Sequence, residues 1–549
     1  MTTKVTDGPL VVGDVLDLAA ARYGNQPAVQ DATGVLTFTE LRDRARCLAD
    51  GLLKSGLRPG DRVLEALPNS RDLLVCEMAL ALAGLIRVPL NPRLGPREWL
   101  GIHADSGARG LLVDGRLEGA DGARITEHVS CEITVRADAG ELEDLIATGT
   151  SSAQLPVAKP DDLVGLAYSS GTTGMPKGAL RTHRMRLASM RAMLQHVVEP
   201  TGEARAYVHA GPAIHTSGLF ILPMLALGVR QVMAHHPSPA QIAELVASEG
   251  ISHLALVPSV IDALTRLPES ARTAFAPLRM LAYAGASMPP AQIQRAAELL
   301  TDRLVQYYGL VEAIPPLTVL SIEDHARGLR DEPRLLTSAG RIIADARIEI
   351  VGDAEAGEAE ARLGEIGLGE ISVSGPMVTP GYWNADKRTD LGKSFAGTAL
   401  LTGDVGIVSD GYLYLADRKN NMLISGGYNV YPGEIESTVS SSPGLRSAVA
   451  LGLPDERWGE RIVLAYTTTS GDDLNASQRQ ALHDRLGALA PHKRPKSCHF
   501  HTEFPLGATG KIDRRALTAQ LSAVHQLAAH QLAAKHPLSE TTDERSSTT

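Results

Sequence analysis

The run Tyr168-Ser169-Ser170-Gly171-Thr172-Thr173-Gly174-Met175-Pro176-Lys177-Gly178 sets four hydroxyls, those of Ser169, Ser170, Thr172 and Thr173, among three glycines and one lysine. Glycine lets a backbone approach an anion closely, amides and hydroxyls donate to phosphate oxygens, and Lys177 adds a point charge. The chemistry this composition permits is the cradling of a polyphosphate. It is not a Walker-type loop, because no Gly-Lys-Ser/Thr stands at the required spacing. By composition alone a flexible polar surface loop fits equally well, and both readings stand at this point. Lysine is scarce, 11 residues against 42 arginines, so each one in a glycine-rich setting is informative. Lys511, in Thr509-Gly510-Lys511-Ile512-Asp513-Arg514, is the second of these.

The apolar run Leu163 to Tyr168 leads into the first segment as a strand. From about residue 10 to 330 amphipathic helices alternate with short apolar runs: a helix over Phe38–Leu53, a strand over Asp61–Leu67, a helix over Asp72–Ala83 and a strand over Ile86–Leu90. The rhythm recurs at Gln231–Met233, Ala240–Glu249 and His253–Val257, which predicts parallel sheets covered by helices. Beyond 330, Arg341–Val351, Gly369–Val373 and Gly411–Leu415 read as strands between glycine-rich turns, a β-rich subdomain. The expected architecture is α/β: a large N-terminal domain of several subdomains over 1–416, and a small α+β C-terminal domain over 417–520. Residues 521–549, ending in SETTDERSSTT, have too little apolar content to pack and read as a disordered tail.

Composition sets the outer bounds. With 549 residues, 44% hydrophobic and 21% charged, the chain is not mostly disordered, collagen-like or a coiled coil. A net charge of −10 disfavours a nucleic-acid partner. Cys47, Cys76, Cys131 and Cys498 form no CxxC pair and no disulfide framework, as befits thiols in a reducing compartment. The N-terminus carries Asp7, Asp14 and Asp17 and no signal-peptide pattern. The longest apolar stretch, Gly218 to Val229, is broken by Pro223 and falls short of the ~20 residues of a membrane span. The chain reads as cytoplasmic.

The order of motifs resembles the adenylate-forming superfamily of acyl-CoA synthetases, nonribosomal peptide adenylation domains and luciferases. After the phosphate-loop signature come Gly211-Pro212-Ala213-Ile214-His215, Ala284-Gly285-Ala286-Ser287, Tyr308-Gly309-Leu310-Val311-Glu312 and Thr402-Gly403-Asp404. Asp417-Arg418-Lys419-Asn420, Ile424-Ser425-Gly426-Gly427-Tyr428 and the Lys511 segment follow. Each fragment is weak alone, but their fixed order, across roughly residues 10 to 520, is specific. The resemblance implies ATP-dependent conversion of a carboxylic acid to an acyl-adenylate with release of pyrophosphate, then transfer to a thiol. AMP-forming acyl-CoA synthetases are the nearest branch.

By the same resemblance, Lys511 bridges the substrate carboxylate and the α-phosphate, with Thr172 in the phosphate loop, and Glu312 binds Mg²⁺. Asp404 holds the ribose with help from Arg418; its other reading is a turn-capping Asp. Tyr308 stacks on adenine or packs in the core, with Gly285, Ala286, Ser287 and Gly309 beside it. For Glu312 the alternative is a helix-terminal Glu. His215 gates the substrate pocket or simply packs, and the small residues Gly218, Ala284, Gly285 and Gly309 suggest a roomy pocket. Gly426 and Gly427 resemble the lining of the pantetheine tunnel of coenzyme A, and Asn420 stands at the hinge of a mobile small domain. Two positions depart from the family: Val311 replaces the usual Thr, and Asn420 the usual Asp or Lys. No Asp near His215 is available to hold an α-amino group, so an uncharged aliphatic, alicyclic or aryl acid is favoured. A carrier-protein thiol as acceptor, a homodimer and a non-catalytic nucleotide binder remain open alternatives.

Overall fold

Helices begin where the sequence supplies a cap. Thr37 Oγ1 accepts the Glu40 amide at 3.2 Å while the Glu40 carboxylate takes the Thr37 amide at 2.8 Å, a reciprocal box opening the helix Phe38–Lys54. Phe38, Leu41, Ala45, Leu48, Ala49 and Leu52 recur at helical spacing along it, and all are buried. Ser70 caps Arg71–Leu82 and Thr182 caps His183–Met193 more simply, each hydroxyl accepting one main-chain amide, of Leu73 and Met185. The computed structural model describes residues 10–91, 94–119, 122–168, 176–352, 367–387, 394–455, 457–507 and 512–523. By its internal contacts the chain divides into two units, Met1–Lys419 and Asn420–Thr549.

Among the described residues the first unit holds two sheets. In the six-stranded sheet, Ile133–Arg136, Gly110–Val113, Arg62–Ala66, Ile86–Pro89 and Leu163–Tyr168 run parallel, and Gly178–Thr182 closes the edge antiparallel. The 14-stranded sheet has a parallel centre: Leu304–Leu310, Met280–Tyr283, His253–Leu256, Ala206–His209, Arg230–Met233 and Pro27–Asp31. Ala313–Leu320 pairs antiparallel with Leu304–Leu310, and from it the β-rich region after residue 330 continues the ladder antiparallel through Gly340–Ile342, Tyr412–Arg418, Ala399–Ser409, Gly369–Ser374 and Arg347–Val351. The single strand expected over Arg341–Val351 is two strands. A turn at Ile343–Ala346, closed by the Ala346 amide on Ile343 O at 3.1 Å, sends its halves to separate places in the sheet.

In the second unit, Leu423–Ser425, Gly459–Thr468 and Leu445–Asp455 form an antiparallel sheet that Ser497–Phe500 joins in parallel. Residues 514–523 are helical and bury Leu517 and Leu521, so a tail boundary at 521 cuts into a helix; 524–549 lie outside the described residues. Among the described residues no helix is long and apolar enough to cross a membrane.

Four histidines of the first unit are built into its core. His209 sits between Ser217 Oγ (3.0 Å) and Gln231 Oε1 (2.9 Å), and His325 between Tyr283 Oη and the Ser321 carbonyl, each at 2.8 Å. Burial pushes His183, His209, His253 and His325 each down from 6.5 to about 4. The unfolded chain takes up these protons at higher pH than the fold does, so their contribution is complete above about 6.5 and is lost as pH falls toward about 4. The thermal unfolding midpoint is therefore expected to fall continuously across that window. A midpoint that stays level there would contradict the neutral, buried state of these rings.

Candidate active site

Segments singled out by sequence follow the carboxyl ends of parallel strands, where open α/β sheets bind ligands. Leu163–Tyr168 runs into the hydroxyl and glycine loop, Ala206–His209 into residues 210–218, Met280–Tyr283 into Ala284–Ser287, and Leu304–Leu310 into Val311 and Glu312. Ser169, Ser170, Gly171, Thr172, Thr173 and Gly174 lie outside the described residues, but the hairpin flanking them is described. Tyr168 pairs with Gly178 across it, and a Cβ on Gly178 would come within 2.8 Å of Tyr168 Cζ. Glycine thus lets the tyrosine ring lie across the partner strand, while Tyr168 Oη donates to Asp105 Oδ2 at 2.6 Å.

Val311 and Glu312 form the two-residue turn between strands Leu304–Leu310 and Ala313–Leu320. Glu312 therefore stands at a hairpin tip and not at a helix end. The segment 377–383 sews this hairpin to the strand after Lys177. Ile314 N–H donates to Met377 O (2.9 Å), Thr379 N–H to Glu312 O (2.7 Å), Leu180 N–H to Gly381 O (3.1 Å) and Trp383 N–H to Gly178 O (2.8 Å). Tyr382 Oη donates to Glu312 Oε1 at 3.0 Å, and Lys177 Nζ lies 5.9 Å from the centre of the same ring. Val311 packs against Ala179 and Tyr382, an apolar contact that suits valine's two methyls. Arg181 donates through Nη2 to Val311 O at 3.1 Å. Burial, reinforced by Arg186, holds its guanidinium below the ordinary arginine value against the pull of Glu312.

A second cluster joins Tyr308, Asp404 and Arg418. Tyr308 Oη donates to Asp404 Oδ2 at 2.6 Å, and Arg418 Nε lies 3.1 Å from Asp404 Oδ1. Burial pushes the Tyr308 phenol well above its ordinary value and the Asp404 charge adds to this, so the hydroxyl keeps its proton and donates. Asp404 is not in the expected turn. It lies within the 11-residue strand Ala399–Ser409, directly opposite Arg418, and the turn signal marks a left-handed kink at Gly403, φ 72°. A carboxylate has about four acceptor sites, so Asp404 retains capacity for further hydrogen-bond donors.

The expectation of a roomy pocket from small residues fails at two of them. A Cβ on Gly218 would fall 1.7 Å from Ala213 O, and one on Gly309 would fall 2.7 Å from Pro315 Cγ. Their missing side chains face the protein's own chain. Gly285 has φ 86°, the left-handed turn that favours glycine, and Ala286 and Ser287 beside it are exposed. His215 is exposed, with Nε2 3.4 Å from Asn91 Nδ2. Its loop is clamped by Asn69, whose amide donates to His209 O and Gly211 O at 2.8 Å and whose Oδ1 accepts the Ala213 amide at 2.9 Å.

In the second unit Gly426 and Gly427, φ 61° and 83°, make the hairpin turn between Leu423–Ser425 and Tyr428–Val430. Lys511 lies outside the described residues, but the pairing of Leu506 with Ile512 closes its loop. Arg514 is an anchor, held by Glu436 (2.7 Å) and Ala450 O (2.9 Å). Asn420 lies in the 3-10 turn Lys419–Asn421. Sequence reasoning missed Asn69, Thr379 and Tyr382. The one signal was Tyr382-Trp383, adjacent aromatics in a chain only 4% aromatic.

Comparison with known proteins identifies the family. Residues 16–383 match the AMP-binding enzyme family and residues 434–511 the AMP-binding enzyme C-terminal domain. The chain is 32% identical over 495 residues to a feruloyl-CoA synthase of Amycolatopsis sp, covering 88% of this chain and 94% of that one. It is 29% identical over 507 residues to the long-chain-fatty-acid–CoA ligase FadD13 of Mycobacterium tuberculosis, covering 91% and 96%. The solved amide bond synthetase McbA from Marinactinospora thermotolerans superposes with a TM-score of 0.79 at 26% identity, covering 93% of this chain and all (100%) of that one. With most of its length matched by the family pattern and by these relatives, the chain belongs to the AMP-binding enzymes.

Proposed function

We propose that this protein is an AMP-forming acid–thiol ligase that activates an apolar carboxylic acid with ATP and passes it to coenzyme A. The observation that supports this most is that Tyr382 joins Lys177 and Glu312 past the carboxyl ends of two parallel strands, while Tyr308, on the second of those strands, holds Asp404 beside Arg418. The substrate carboxylate attacks the α-phosphorus and pyrophosphate leaves with the bridging oxygen. The thiolate sulfur then attacks the acyl carbonyl and AMP departs. The first step brings two anions together, so its barrier is chiefly electrostatic. Lys177 and the loop amides hold the phosphates, Asp404 and Arg418 hold the ribose, and Lys511 aligns the carboxylate with the α-phosphate.

Glu312 suits Mg²⁺, a hard cation that takes one or two carboxylates plus substrate phosphates. Among the described residues no cluster of three or more His, Cys, Asp or Glu could hold a metal ion, and Glu312 is the carboxylate that would hold this one. When bound it neutralises phosphate charge. The relatives' names, a feruloyl-CoA synthase and a long-chain-fatty-acid–CoA ligase, support an uncharged acid.

Pyrophosphate exchange with a panel of aliphatic, alicyclic and aryl acids is the test. ATP binding without exchange for any acid would sink the enzyme reading. Thioester formation from coenzyme A, against a holo-carrier protein, then identifies the acceptor. The chain's division at Lys419 and Asn420 supports a hinge there. Asn420→Pro, by restricting the backbone, is expected to block one half-reaction and spare the other. Survival of both at wild-type rates would remove the hinge.

A further inference from the structure

We propose that Tyr382 is a positioning residue for adenylation, one side chain whose hydroxyl fixes the Glu312 carboxylate and whose ring face bears on Lys177, so that the metal grip and the phosphate grip are set together. This rests on the assignment of Glu312 to the cation and Lys177 to the phosphates. Glu312 stands at a hairpin tip, where a glutamate side chain samples several rotamers at an entropic cost whenever it is held. Its Oε1 accepts from Tyr382 Oη at 3.0 Å, across 70 residues of sequence. Lys177 Nζ lies 5.9 Å from the ring centre, within cation–π range.

The ring can act as a fixed post because it is itself held. Tyr382 is 8% exposed, meets Phe395 edge-on at 6.2 Å, and packs with Ala179 and Val311. Its backbone pairs with Ala179, and its neighbours Gly381 and Trp383 bond to Leu180 and Gly178. Thr379, three residues before it, bonds by its amide to Glu312 O and by Oγ1 to Leu180 O at 2.9 Å. The segment thus bonds by main chain to Glu312 and to the strand that follows Lys177, and Tyr382 adds its side chain to both. Outer partners of this kind set the orientation of a ligating carboxylate.

The test measures nucleotide binding to the full chain by calorimetry, with Mg²⁺ and with the metal chelated. Tyr382→Phe keeps the ring and its packing and removes only the hydroxyl. It is expected to weaken Mg²⁺-dependent ATP binding by about tenfold, the scale of a hydrogen bond to a charged group, and to leave metal-free ATP binding unchanged. Tyr382→Leu, which removes the ring face, is expected to weaken both. In a Glu312→Gln background Tyr382→Phe is expected to have no further effect, since both act through one carboxylate. Additive losses, or unchanged Mg²⁺ dependence in Tyr382→Phe while Glu312→Gln loses it, would overturn the proposal. If Glu312→Gln itself leaves Mg²⁺ dependence intact, the failure belongs to the metal assignment. Should Tyr382→Leu not fold, the cycle between Tyr382→Phe and Glu312→Gln decides alone.

Discussion

Lys511→Ala is expected to slow acyl-adenylate formation by on the order of a hundred- to a thousandfold, the range seen when one preorganised donor to a developing charge is removed. Thioester formation from a synthetic acyl-adenylate is expected to proceed near the wild-type rate. The asymmetry follows from the charges. The first step brings a carboxylate onto an anionic phosphate and needs a cation between them. The second breaks an anhydride already activated, with AMP as leaving group. The loop's surroundings make the variant a clean test. Leu506 pairs with Ile512, the Asp513 amide bonds to Pro505 O at 2.8 Å, and Arg514 is held by Glu436, so the flanks stay fixed without the lysine. Single-turnover pyrophosphate release and thioester formation, measured separately, check it. An unchanged adenylation rate would remove Lys511 from the site, and equal loss of both steps would mark it as structural.

Periodicity and caps made the framework legible. The helix at 38, the strand at 163 and the alternation through 256 depend on neighbours three, four or two residues apart, which sequence displays directly. Motif order made Lys177, Glu312, Asp404 and Arg418 legible as candidates. Contacts made across long stretches of chain were not. Nothing in the spacing links Tyr382 to a glutamate 70 residues before it, because the link is a segment without regular structure bonded to two separate strands. Gly218 misled for a related reason: a glycine announces that something is close, and sequence cannot say whether that is ligand, open space or, as here, the carbonyl of Ala213. Gly403 beside Asp404 is a turn signal in sequence, but a left-handed residue also fits inside a strand that kinks.

The least legible feature carries the other large effect. Glu65 and Arg87 sit on neighbouring parallel strands, Glu77 on the helix Arg71–Leu82 and Arg186 on His183–Met193; sequence shows four unrelated charges. In the fold Arg87 Nε donates to Glu65 Oε2 at 2.7 Å, Arg87 Nη1 lies 3.1 Å from Glu77 Oε2, and Arg186 Nη2 donates to Glu77 Oε1 at 2.7 Å. Burial raises the Glu65 carboxyl, offset only in part by Arg87. Burial acts the same way on Glu77, but Arg87 and Arg186 outweigh it and hold that group down. Arg87→Met therefore strands Glu65, whose Oε1 has no hydrogen-bond partner among the described residues, and is expected to cost about 3–5 kcal/mol. Arg87→Met with Glu65→Leu is expected to recover most of that loss, because Glu77 keeps Arg186 and no unpaired charge remains. The single variant's deficit should also shrink in acid, where the stranded carboxyl takes up a proton. Denaturant unfolding of wild type, single and double variants across pH measures all three. A single variant as stable as wild type, or a double variant less stable than the single, would show that the arginine does not neutralise this interior. The helix that Arg186 pins to Glu77 begins directly after the strand led in by Lys177, so ATP binding measured on the same variants tests whether this charge cluster also supports nucleotide binding.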